Sequence, residues 1–409
     1  MKEGETVTYI RTVPLVLMAA LFFVPASASW GHGPPVRVCD FPKGLEAAAC
    51  DSLVLTDGVT PQATQSPTGY GPSVFHVAYS LPTAANGAQT VAIVDAYDDP
   101  NAKADLDTYD AYYGLPFFPS CSATLTTACF SKVDQSGGSS YPSPNSGWAL
   151  EISLDVQIAH AVCQDCKILL VEANSNLVSA LARAENTAAK LGGQAISNSY
   201  GTYSEFSRES HYAGSYDHTG VAITVSSGDS GFGTNFPSSL NTVIAVGGTS
   251  LRTVIMKHGK TKTTSYAETA WPGSGSGCSV FNTAQSWQLA LPNWSATQCG
   301  SARAVADVAA DADPATGAAV YDSYPYSGQT GWWQVGGTSL SSPLIAAVYA
   351  LAGNTAGFAY PALLSYANAG SLHDVTSGSN GSCGTIMCQA GSGYDGPTGL
   401  GTPNGLAGF

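Results

Sequence analysis

The chain has 409 residues, enough for one large core or two medium ones, and its 44% hydrophobic content excludes a disordered polymer. Charged residues make up only 11%, and the net charge of −14 sets 15 Lys and Arg against 29 Asp and Glu. Nucleic-acid binding needs clustered cations to displace counterions, and so sparse a basic complement excludes it. Few ionisable groups also means little charge to accumulate when carboxylates protonate, which suits an acidic medium.

Lys2 and Arg11 precede an apolar run over 13–24, and Ala26-Ser27-Ala28 follows as a small-residue cleavage site. That layout predicts a secretory signal peptide over 1–28. The run is short for a bilayer span and no later stretch approaches one, so the protein is expected outside the cell, free of membranes and monomeric. Ten cysteines fall into five close pairs: Cys39/Cys50, Cys121/Cys129, Cys163/Cys166, Cys278/Cys299 and Cys383/Cys388. In an exported chain these read as disulfides between nearest neighbours. Cys163-Gln-Asp-Cys166 could instead hold zinc or act in redox chemistry, but no second Cys-x-x-Cys or His pair supports it.

Residues 29–78 are Pro- and Gly-rich, with one predicted disulfide and little periodicity. A single catalytic domain is predicted over 79–409. Val91-Ala-Ile-Val-Asp95, Lys167-Ile-Leu-Leu-Val171, Ala195-Ile-Ser-Asn198, Val221-Ala-Ile-Thr-Val225 and Thr242-Val-Ile-Ala-Val246 are short, β-branched apolar runs, read as buried parallel strands. Helical patterns lie between and after them, at 103–113, 149–163, 177–191, 204–216 and 342–352. The alternation predicts an α/β fold with helices covering a mainly parallel sheet, its site beyond the carboxyl ends of the strands. The basic residues Arg252, Lys257, Lys260 and Lys262 around His258-Gly259 read as a solvated hairpin tip.

Four groups of residues could carry chemistry. Gly336-Gly-Thr-Ser339 stands before the last apolar helix, with Pro343 placed in its first turn. A serine there is an N-cap, or a nucleophile whose oxyanion is held by helix N–H groups. Serine needs a base, and none of the seven histidines lies in a His-Gly-Thr-His setting. Instead Glu151 and Asp155 share one face of a helix, where two carboxylates can hold one proton between them. Trp148, Leu150, Ile152, Leu154, Val156 and Ile158 leave that helix almost no face for water, so its acids are buried for a purpose rather than solvated. Asp229, in Ser227-Gly-Asp229-Ser-Gly231, either starts a turn or, if it faces Ser339, donates to an oxyanion when protonated. Asp374 and Asp395, with glycine carbonyls between them, form a hard oxygen set suited to calcium or a pair of Asx turns.

In this order these motifs resemble the sedolisins, relatives of the subtilisins whose catalysis uses Ser, Glu and Asp. The resemblance covers roughly 79–409 and extends to Asp311-Ala-Asp-Pro314 and Thr398-Gly-Leu-Gly-Thr-Pro403. It implies a subtilisin-like three-layer fold and acid-acting endopeptidase activity on proteins and peptides. In the roles it implies, Ser339 is nucleophile, Glu151 base, Asp155 the partner orienting Glu151 and Asp229 the oxyanion acid. It also implies one structural calcium on the Asp374 and Asp395 side chains and the carbonyls of Val375, Gly391 and Gly393. Asp95 is expected to join the carboxylates behind Glu151. The chain departs from the family in Tyr200, often Trp, and in having only residues 29–78 where a long propeptide usually folds. Either folding proceeds without one or the Cys39/Cys50 segment substitutes. Tripeptidyl exopeptidase action, a histidine-dependent neutral peptidase and a silent secreted binding module are the competing readings.

Overall fold

The computed structural model describes, besides Met1, residues 33–58, 60–85, 88–122, 128–258 and 261–409. The signal-peptide reading of 1–28 therefore falls outside the described residues. Seven strands form the central sheet in the order Thr261–Ala270, Ile244–His258, Ala222–Ser226, Ala195–Asn198, Thr90–Ala96, Lys167–Ala173 and Phe130–Asp134, and Val308–Asp311 also pairs with Ile244–His258. Every pairing is parallel except the hairpin of the first two, which runs antiparallel from Thr249 opposite Ala270 to His258 opposite Thr261. The uninterrupted apolar runs become strands because both their faces are covered, as the full burial of Val91–Val94 and of Ile168 and Leu170 shows.

Helix Ser146–Val162 is buried along its whole length from Gly147 and packs on Thr338–Ala352, itself buried through Leu351. Helices apolar all round belong in the centre of a large core. Asn145 caps the first of them, its side chain accepting from Gly147 N and Trp148 N at 3.1 Å each. Val178–Lys190 covers Thr90–Ala96 and Lys167–Ala173, completing the flanked sheet expected of a subtilisin-like fold.

One expectation fails here, and one strand went unforeseen. The pattern at 204–216 is no α-helix but two short 3₁₀ turns, Glu209–His211 and Ala213–Tyr216. Its four serines and Gly214 supply little helix propensity, and Phe206 and Tyr216 are instead drawn into an aromatic cluster with Phe236. Phe130–Asp134 is an edge strand the sequence concealed, because its half-exposed Ser-Lys-Val centre shows no apolar run.

The five nearest-neighbour cysteine pairs are all disulfides, which also removes the sulfurs of Cys163 and Cys166 from metal chemistry. The segment before 79 is woven into the body of the protein. Gly33–Arg37 and Leu53–Thr56 join a sheet with Gln329–Gly336 and Ala318–Tyr326, and Ala48–Cys50 pairs with Tyr200–Thr202. Among the described residues no helix is long and apolar enough to cross a membrane.

Candidate active site

Helix Thr338–Ala352 begins one residue before the serine, so Ser339 lies in its first turn rather than ahead of it, and Pro343 lies further inside. The strand Gln329–Gly336 is turned into this helix by Gly337, whose φ of +101° favours glycine. A Cβ on Gly337 would stand 2.3 Å from the Asp51 carbonyl oxygen and 2.5 Å from Asp229 Oδ2, so no other residue fits. Pro343 has no N–H to give the carbonyl one turn back, that of Ser339. That carbonyl accepts instead from Ser199 Oγ at 3.4 Å, and Ser339 Oγ donates to Ser199 O at 3.2 Å.

The carboxylate helix delivers both its acids to this point. Glu151 and Asp155 are fully buried, and none of their four oxygens finds a hydrogen-bond partner within 3.5 Å among the described residues. Burial drives both pKa values well up, and the neighbouring Asp95 charge is the next cause for each. The Ser339 and Ser52 hydroxyls are near enough to Glu151 to favour its ionised form, and the Ser199 hydroxyl does the same for Asp155. Asp95, at the carboxyl end of Thr90–Ala96, is itself raised to about 8 by burial. Ser339, Glu151, Asp155 and Asp95 thus form one buried group. Repulsion inside it favours shared protons.

Asp229 lies on the other side of the serine. Its Oδ1 accepts from Thr338 N at 2.7 Å and Thr338 Oγ1 at 2.9 Å, while Oδ2 is buried with no partner among the described residues. Burial and then the Asp51 charge raise its pKa to about 8. A neutral carboxyl so placed has one proton to donate toward the space beyond Gly337.

Asp51 escaped the sequence reading. Its side chain is fully buried, Oδ2 accepts from Ser226 Oγ at 2.8 Å, and burial holds its pKa near 6 despite Arg37. Its carbonyl accepts from Ser339 N at 2.8 Å. A lone Asp in a Pro-rich stretch carries no motif, and only its place beside Cys50 of a close cysteine pair marked the region out.

Far from the serine in sequence, Asp374 and Asp395 face one loop. Gly393 N donates to Asp374 Oδ2 at 2.9 Å and Gly391 N to Asp395 Oδ2 at 3.0 Å. Asp395 Oδ1 takes Thr398 N and Oγ1 at 3.0 and 2.9 Å. Burial lifts Asp395 to about 7, with the Asp374 charge adding to it. Two mutually repelling carboxylates on a glycine loop fit a hard divalent cation.

Among the described residues no histidine hydrogen-bonds the Ser339 hydroxyl. His76 is tied to the Leu81 and Ala161 carbonyls, and His160 stacks on Phe118 with Nε2 3.4 Å from Asp110.

No family model matches the chain. It is 29% identical over 82% of its length to sedolisin of Pseudomonas sp. (strain 101), covering 60% of that protein. It is 28% identical over 83% of its length to kumamolisin of Bacillus sp. (strain MN-32), covering 63% of that one. The chain therefore spans under two thirds of the length of these curated relatives. Among solved structures, Pseudomonas sedolisin, a serine-carboxyl proteinase complexed with pseudo-iodotyrostatin, matches with a TM-score of 0.63 at 28% identity. That match covers 83% of this chain and 96% of the other. A psychrophilic protease at 18% identity and a TM-score of 0.50 shares the fold.

Proposed function

We propose that this chain, which belongs to the sedolisin family and has its subtilisin-like fold, is an exported serine-carboxyl endopeptidase acting on proteins and peptides in acid. The observation that carries the reading is the burial of Glu151 and Asp155 beside the Ser339 hydroxyl, with Asp95 next to them and, among the described residues, no histidine bonded to the serine.

In the reaction, rotation of the Ser339 hydroxyl away from Ser199 O turns its proton to Glu151 when the negative charge shared by the buried carboxyls rests on it. Oγ then attacks the substrate carbonyl, the negative charge passes to the oxyanion, and Glu151 keeps the serine proton within the set it shares with Asp155 and Asp95. The oxyanion forms beside the Ser339 N–H, where neutral Asp229 donates from Oδ2. Glu151 returns its proton to the leaving amine, and water releases the acyl group from Ser339 by the same steps. Rising pH stops the reaction because Asp229 and the carboxyls behind Glu151 work while protonated.

A calcium ion held by Asp374 and Asp395, with the carbonyls of Val375, Gly391 and Gly393, would neutralise the repulsion between the two carboxylates and brace the tail. Export is supported by the five disulfides, which persist in oxidising surroundings.

The test is digestion of acid-denatured serum albumin at pH 4. Ser339→Ala and Glu151→Gln abolish cleavage with the fold retained by circular dichroism, whereas replacing each histidine by Gln leaves it. Loss of activity on replacing a single histidine, with the fold intact, would sink the carboxylate mechanism.

A further inference from the structure

The hairpin at the edge of the central sheet has a buried root and a bare outer half. At the root, Glu268 accepts from Thr249 Oγ1 at 2.6 Å and from the Tyr79 hydroxyl at 2.9 Å, and the Tyr70 hydroxyl donates to Leu251 O at 3.0 Å. Thr249, Ser250 and Leu251 are buried, and Val308–Asp311 stops pairing at Thr249. The two strands then run on as a ribbon, from Arg252 opposite Ala267 to His258 opposite Thr261. Arg252–Met256 are all exposed, with Val254, Ile255 and Met256 at 37%, 60% and 45%. Alternation puts Val254 and Met256 on one face of the ribbon and Ile255 on the other. A two-stranded ribbon builds no core of its own, and three consecutive large apolar residues left in water call for a partner.

The sequence sets cations around this apolar run. Arg252, Lys257, Lys260 and Lys262 are four of the 15 Lys and Arg, and no Asp or Glu occurs between Arg252 and Ala267. The net charge of −14 misstates what a partner would meet. Sixteen of the 29 Asp and Glu are buried, whereas among the described Lys and Arg only Arg303 is. The charge therefore asks for an anionic partner, and the apolar run for one with a nonpolar layer just beneath its charges. A soluble anionic polymer meets only the first demand. A second copy of this chain offers carboxylates that are mostly buried, and acid would neutralise the rest. An anionic phospholipid bilayer meets both demands, and its phosphodiesters stay ionised in acid.

We propose that the outer half of this hairpin, with Val254, Ile255 and Met256 between Arg252 and the lysines of the turn, docks the protein on the surface of an anionic phospholipid membrane. The inference goes beyond the peptidase reading and stands without it. The apolar side chains enter the boundary between headgroups and acyl chains while the cations stay with the phosphates. The sequence led to the expectation of a protein free of membranes because it holds no spanning run, but a surface contact needs none. The rigid root, held by Glu268 and Tyr70, makes the ribbon a fixed projection, so the body is presented to the surface in one orientation.

The experiment pellets the full chain at pH 4 and low salt with vesicles of phosphatidylglycerol and, separately, of phosphatidylcholine. The chain should pellet with the first and stay in solution with the second, and salt at about 0.5 M should release it. Lys257→Gln, Lys260→Gln and Lys262→Gln together should weaken binding about a hundredfold, at about fivefold for each cation near the surface. Ile255→Ser with Met256→Ser should weaken it by about tenfold or more, yet leave binding to soluble polyphosphate unchanged. Both variants should keep the wild-type circular dichroism and Tm. Should either lose its fold, the lipid and salt dependence of the wild type decides alone. Equal pelleting with both lipids, pelleting with neither, or undiminished binding of the folded triple variant overturns the inference. Phosphatidylglycerol binding that the serine pair does not change assigns the hairpin to anionic polymers and overturns it. A dimer in sedimentation velocity that the serine pair abolishes assigns the face to a second copy and overturns it too.

Discussion

Asp229 and Thr338 are joined twice, through the Thr338 backbone N–H and its hydroxyl, so a carboxyl from one strand end caps the helix that carries Ser339. One oxygen is spent on the helix and the other, Oδ2, is left buried and free to present a proton. Replacing Asp229 by Ala should remove both roles. We expect kcat to fall by about 10²–10³ and stability by about 1 kcal/mol. Asp229→Asn keeps an acceptor for Thr338 and a donor at the other atom, so it should retain more activity and hold it to higher pH. Parallel pH–rate profiles on the two variants check this.

The wild-type rate should itself fall as pH rises through about 8, because Asp229, raised to about 8, and the carboxyls behind Glu151 must hold protons. At lower pH the Glu151, Asp155 and Asp95 set takes up its last proton, Ser339 is left without a base, and the rate falls again. A profile of kcat/KM on a soluble peptide reads both limbs, and a rate that is flat to pH 9 contradicts the assignment.

Stability should follow the same direction. Asp51, Asp95, Asp229 and Glu185 have native pKa values near 6, 8, 8 and 8, all raised first by burial. These lie above the unfolded values of about 4, so the native state binds the protons more tightly. The stability they contribute is full below about pH 4 and is lost as pH climbs through the native values. Tm should therefore be higher at pH 4 than at pH 8. Glu185 is fully buried, with the Asn198 side chain near it offsetting little of the burial, and Glu185→Gln should raise stability at pH 8 by a few kcal/mol while changing little at pH 4. Calorimetry at the two pH values measures it.

Chelation of calcium should lower Tm, since an ion bound to the native state alone stabilises it by mass action. Asp395→Ala should lower Tm by a similar amount and abolish the response to added calcium. An unchanged calcium response in that variant would place the ion elsewhere.

Much of the frame was legible because a covered parallel strand must be apolar on both faces, and Val91, Ile168, Ile196 and Ile223 announce that directly. Glu151 and Asp155 were legible for the same reason, as charges on a helix with no wet side. Phe130–Asp134 was not, since an edge strand half in water carries no such constraint. Asp51 was hidden for a different cause. Its place is set by the pairing of Ala48–Cys50 with Tyr200–Thr202, a contact across some 150 residues that local pattern does not encode. The start of the serine helix was misjudged because Gly336 and Gly337 read as loop, while the cap that starts it comes from Asp229, more than a hundred residues upstream.

Pro343 has an effect that reaches beyond the bend a proline imposes. By withholding an amide hydrogen it leaves the Ser339 carbonyl to Ser199, while Ser199 in turn receives the Ser339 hydroxyl. The nucleophile and Ser199 are thereby latched together in both directions. The backbone that leads into Tyr200–Thr202 thus fixes the rotamer from which the reactive hydroxyl must turn.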